Sequence, residues 1–235
     1  MYEEAKGLRP EDPDILLALG KAKRNLGIAT NGSNEKILLY EEAIKLYEEA
    51  KELRPEDPDI LLALGKAKHN LGIATNGSNE KILPYEEAIK LYEEAKELRP
   101  EDPDILLALG KAKHNLGIAT NGSNERILLY EEAIKLYEEA KGLRPEDPDI
   151  LLALGKAKRN LGIATNGSNE KILLYGEAIK LYEEAKELHL EDPDILLALG
   201  KAKHNLGNAT NGPNERILLY GEAIKLCEEA KELVR

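Results

Sequence analysis

The chain has 235 residues, 42% of them hydrophobic and 33% charged, with a formal net charge of −11 at pH 7. Its single cysteine, Cys227, excludes an internal disulfide framework, and no apolar run reaches the length of about 18 residues that a membrane helix needs. The acidic balance excludes a generally basic, nucleic-acid-binding surface. The aromatic residues are all tyrosine and the helix formers Ala, Leu, Glu and Lys abound, which argues for an all-α fold.

Met1–Leu8 is charged and has no apolar signal core, so the expectation is a reduced, cytoplasmic protein. The first element begins at Asp12-Pro13, an N-cap followed by a proline preset for the first helical position. Ile15, Leu16, Leu19, Ala22, Leu26 and Ala29 follow at steps of three and four and form one apolar stripe. Asn31-Gly32 reads as a turn. A second helix restarts near Ser33, with Glu35 in its first turn, and carries a stripe of Ile37, Tyr40, Ala43, Ile44, Tyr47, Ala50 and Leu53. Arg54-Pro55 ends it. Gly27 is a second candidate stop for the first helix, so two readings stand: long helices, or short ones with a loop from about Gly27 to Leu38.

The pattern then repeats. RPEDPDILLALGKAK begins at Arg9, Arg54, Arg99 and Arg144, and a worn copy begins at His189, always 45 residues on. The expected organisation is one array of units 9–53, 54–98, 99–143, 144–188 and 189–235, with residues 1–8 as the tail of a preceding second helix. Pro213 replaces the serine of Ser33, Ser78, Ser123 and Ser168 and marks the first position of the second helix. Pro84 replaces Leu39 and predicts a kink or a delayed start there. A lone hairpin cannot bury both faces, so each copy must cover the next.

Leu16, Leu19, Gly20 and Gly27, then Tyr40, Ala43, Tyr47, Ala50 and Pro55, resemble the tetratricopeptide repeat family across essentially the whole chain. The eleven residues beyond the family period of 34 fall between Gly27 and Tyr40. Lys23 stands where the family usually has tyrosine, and Cys227 replaces a tyrosine and reads as a packed residue. The resemblance implies a right-handed superhelical solenoid of ten full helices and a partial one, acting as a protein-interaction scaffold. A spacer or sensor array without its own ligand is the alternative.

By the same resemblance the first helices line a concave groove. Its residues would be Leu17, Lys21, Arg24 and Asn25, then Leu62, Lys66, His69 and Asn70, and Leu107, Lys111, His114 and Asn115. The last two copies supply Leu152, Lys156, Arg159 and Asn160, and Leu197, Lys201, His204 and Asn205. Positive or neutral against acidic second helices, this groove suits a protein or peptide partner, an acidic peptide in particular, and neither nucleic acid nor a membrane. The family's carboxylate clamp for chaperone tails is not expected, because Leu17 and Ala18 hold two of its positions. Histidine alternating with arginine at one position argues against a metal site and reads as solvated. No phosphate loop, zinc spacing or nucleophile elbow is present, so neither enzyme activity nor a cofactor is expected. The sequons at Asn31, Asn76, Asn121, Asn166 and Asn208 read as turn chemistry. Exposed apolar residues on the last hairpin, such as Leu218 and Ile224, predict a longer array or end-to-end stacking of copies.

Overall fold

The computed structural model describes residues 12–234, and the expected helical tail at 1–8 lies outside them. The described residues contain ten helices: α1 (Pro13–Ala29), α2 (Ser33–Leu53), α3 (Pro58–Ala74), α4 (Ser78–Leu98), α5 (Pro103–Ala119), α6 (Ser123–Leu143), α7 (Pro148–Ala164), α8 (Ser168–Leu188), α9 (Pro193–Ala209) and α10 (Pro213–Leu233). The long-helix reading holds, and each hairpin turns through three residues, as in Thr30-Asn31-Gly32.

The caps explain why these boundaries recur. Asp12 Oδ1 accepts from the backbone N–H of Asp14 at 3.0 Å and of Ile15 at 3.4 Å. Asp57, Asp102, Asp147 and Asp192 repeat the cap, ahead of a proline each time. At the other end the Thr30 hydroxyl donates to the Leu26 carbonyl at 2.8 Å. Gly32 caps α2 without a side chain, and its φ of −78° is ordinary. The Asn-Gly turn therefore needs no left-handed residue, and the described residues contain none. Pro84 neither delays nor ends α4, which starts at Ser78 as its sisters do. Its ring removes one backbone donor, leaving the Glu80 carbonyl without its helical bond.

The chain falls into two compact units that divide at Asn121-Gly122. In the first, α1 to α5 pack in sequence order, and α1 also touches α3 and α3 touches α5. One core joins Ala43, Ile44 and Tyr47 of α2 to Leu61, Leu64 and Ala67 of α3, Leu91 and Ala95 of α4 and Ile105 of α5. The apolar stripe of one hairpin is thus buried by its successor. In the second unit, α6 to α10 pack likewise, with Ile179 and Tyr182 of α8 against Leu196, Leu199 and Ala202 of α9 and Leu226 of α10.

Two parts of the expected stripes come out differently. Leu53 is exposed at the end of its helix, as its counterparts are in every copy, while Ala22, Leu26 and Ala29 are exposed in the first hairpin. The Leu26 counterparts Leu116 and Leu161 are buried.

Candidate functional site

Glycine and tyrosine build the floor beneath the candidate groove. A β-carbon on Gly20 would stand 2.5 Å from Tyr47 Cε1, and one on Gly27 would stand 2.6 Å from Tyr40 Cε1. Gly27 therefore does not stop α1; it admits a ring. The two glycines are seven residues apart, as are the two tyrosines, so the pairs sit two turns apart on antiparallel helices. Gly65 with Tyr92, Gly72 with Tyr85, Gly155 with Tyr182 and Gly162 with Tyr175 repeat this. The hydroxyls of Tyr47, Tyr92, Tyr137 and Tyr182 are buried without a hydrogen-bond partner. Burial pushes the Tyr47 phenol up to about 12, offset in part by the Arg24 charge.

The first helices carry the residues expected to line a groove, at these places. Lys66 is half-buried. Burial lowers its pKa, and the charges of Arg24 and Lys111 lower it further against the opposing pull of Asp104 and Asp102. Three cations from α1, α3 and α5 therefore share one field. His69 Nε2 lies 2.8 Å from Asn115 Nδ2, so α3 and α5 are joined along the same line. Lys21 and Asn25 at the first copy, and Leu197, Lys201 and His204 at the last, are exposed. Asn70 and Leu107 are half-buried in the first unit, and Lys156, Arg159, Asn160 and Asn205 in the second.

Three expectations need correction. The histidines are not uniformly solvated: His114 is 8% exposed, and burial together with the Lys111 charge pulls His69 down to about 4. The position sits over a tyrosine of its own hairpin, with ring centroids 5.5 Å apart for His69 and Tyr85 and 5.4 Å for His204 and Tyr220. Arginine serves equally there because a guanidinium also lies well on an aromatic face; the Arg24 charge acts on Tyr40 and that of Arg159 on Tyr175. Next, Leu17, Leu62 and Leu152, expected on the groove face, are partly buried against the cores. Finally, Cys227 is exposed, since nothing among the described residues covers its face of α10.

Sequence reasoning also missed the lysine staples. Lys68 bonds Glu48 of the preceding copy at 3.2 Å and Glu87 of its own at 2.9 Å. Burial works against its charge, but the two glutamates prevail and raise its pKa. Lys158 and Lys203 do the same in the second unit. The signal was a lysine and two glutamates at fixed places in every copy. Some of the outer acidic charge is therefore neutralised between copies.

A family model described as the TPR repeat matches residues 40–72 and 85–117. Those two windows are tetratricopeptide repeats by this match. Each matched window runs from a second helix into the next first helix and leaves out 73–84, where the hairpin is lengthened. Tetratricopeptide proteins are also its structural neighbours. A thermophilic TPR protein of Thermus thermophilus, TTC0263, is similar with a TM-score of 0.58 and 19% identity over 91% of this chain and 94% of that one. MamA is similar with a TM-score of 0.55 and 21% identity over 94% and 91%. YrrB, described as a TPR protein with an unusual peptide-binding site, gives a TM-score of 0.56 and 17% identity over 98% and 96%. These likenesses establish the all-α repeat fold. No curated protein shows a significant sequence match to the chain. No helix among the described residues is long and apolar enough to cross a membrane.

Proposed function

We propose that this chain is a protein-interaction scaffold whose first helices hold an acidic peptide. The observation that carries the reading is the shared field of Arg24, Lys66 and Lys111. A half-buried lysine whose pKa is lowered by burial and by two like charges gains from an incoming carboxylate, which removes the penalty on its charged form. The asparagines beside it add amide donors and acceptors for a peptide backbone. The peptide-binding site described for YrrB, on a similar fold, supports the reading. Nucleic acid would meet a net charge of −11 and is not the partner. The described residues include no group of three or more His, Cys, Asp or Glu that could hold a metal ion.

The test is charge reversal. K66E with K111E, titrated with an acidic peptide selected on the parent protein at low salt, should lose most of the affinity. Unchanged affinity would sink the groove reading and leave the spacer alternative.

End-to-end stacking is a second reading, favoured by one contrast. Ile179 of α8 is 9% exposed beneath α9, while the equivalent Ile224 of α10 is 59% exposed. A second copy's first helix would cover it as α9 covers Ile179. Light scattering against concentration decides this: a constant monomer mass excludes it.

A further inference from the structure

We infer that the fifth hairpin holds a binding site for a small flat aromatic ring, seated on Gly200 in the volume that a tyrosine of the chain itself fills in the other copies. The argument comes from comparing the repeats. In the first, second and fourth hairpins a tyrosine ring lies flat against a glycine of the first helix, at Gly20, Gly65 and Gly155. The fifth keeps the glycine but has Cys227 for the tyrosine. The nearest atoms to a β-carbon on Gly200 would be the Cys227 Sγ at 3.1 Å, the Ala223 carbonyl oxygen at 3.2 Å and Leu226 Cβ at 3.5 Å, with no ring among them.

The missing ring leaves a space. A cavity of about 660 Å³ opens between α9 and α10, and Gly200, Cys227, Ala223 and Ile224 are among the residues that line it. Tyr220 and His204 line it too, their rings tilted against each other with centroids 5.4 Å apart. The volume falls within the ordinary range of small-molecule sites. Its chemistry is selective for shape. Gly200 lines the cavity without a side chain of its own, so a flat ring can come closer to its backbone than a puckered or branched group can. A bound ring would continue the glycine–tyrosine contact already made one step along by Gly207 and Tyr220, where a β-carbon would stand 2.7 Å from Cε1. The four sister hydroxyls are buried without partners, so the fold uses the ring and not the phenol oxygen. In the fifth hairpin the cavity opens to water, and a polar substituent on the ring can stay hydrated beside the exposed Lys201.

The probe is 4-methylphenol, the tyrosine side chain cut at its β-carbon, applied to the full chain. Saturation-transfer NMR should show saturable binding to the parent and to C227A. It should show none to C227Y, which restores the residue of the sister copies and so retains the fold. The same ligand should slow the reaction of Cys227 with a thiol reagent, and 4-methylcyclohexanol, equal in bulk but puckered, should not. Equal transfer to the parent and C227Y overturns the site, as does no transfer to the parent at millimolar ligand. Loss of binding in both variants, or a thiol unreactive without ligand, also overturns it. None of these outcomes bears on the lysine ladder, whose test stands apart.

Discussion

The ring of Tyr92 lies so close to Gly65 that a β-carbon on that glycine would stand 2.5 Å from Cε1. Alanine is the better helix former by about 1 kcal/mol, so propensity alone favours G65A. Contact decides otherwise. Tyr92 is fully buried, its ring has nowhere to retreat, and overpacking costs about 1–3 kcal/mol. We predict that G65A lowers stability by up to about 2 kcal/mol net in urea unfolding. Gly142, Gly176 and Gly221 are the controls, since nothing stands within 4 Å of a β-carbon there. Alanine at each should raise stability by up to about 1 kcal/mol. If G65A matched these in sign, the ring contact would not be the reason for the glycine.

Arg54 makes a two-pronged bond to Asp14, with Nη1 to Oδ1 at 2.8 Å and Nη2 to Oδ2 at 3.3 Å, and Arg99 repeats it with Asp59. The clamp ties the end of a hairpin to its start. His189 stands at this position, and an imidazole lacks the guanidinium fork that makes the two-pronged bond. H189R should therefore restore the clamp and raise stability by about 0.5–1 kcal/mol at low salt, as expected of an exposed pair. Denaturation at low and molar salt checks it, because a gain that survives molar salt would not be an ion pair.

These two cases show what the sequence makes legible. The period, the caps at Asp12 and its copies, and the boundary at Pro213 were readable because each depends on neighbours along the chain. Gly27 was ambiguous because its reason is Tyr40, which reaches it only when the hairpin closes. The histidine position looked solvated for the same cause: its tyrosine partner is distant in sequence and its neighbours belong to the next copy. The repeated lysine position of Lys66 and Lys111 was legible. Its shared field was not, since the distances between helices depend on glycines whose role emerges only on packing.

Pro84 sits in the interior of α4, where the Glu80 carbonyl loses its helical partner. P84L should restore that bond and add stability of up to about 3 kcal/mol, the cost of an interior proline. Hydrogen exchange gives the sharper measurement. Protection should rise for the amides following residue 84 and stay unchanged in α8, whose Leu174 occupies the same place. A uniform rise across the chain would mean a global effect and not a repaired turn.

His69 predicts the response to acid. Burial, then the Lys111 charge, holds its folded pKa near 4 against an ordinary 6.5. Tyr85 lies across its ring and Asn115 bonds its Nε2, so no carboxylate on the neighbouring helices is placed to favour the imidazolium. The folded state therefore binds fewer protons than the unfolded one between these values, and stability falls as pH drops from 6.5 towards 4. Above 6.5 the ring is neutral in both states and contributes no dependence. The exposed His204 provides the contrast. Thermal midpoints of the parent, H69Q and H204Q at about pH 7 and about pH 5 test it. The parent and H204Q should lose stability at the lower pH, and H69Q should lose clearly less. An equal loss in all three would place the acid sensitivity outside His69.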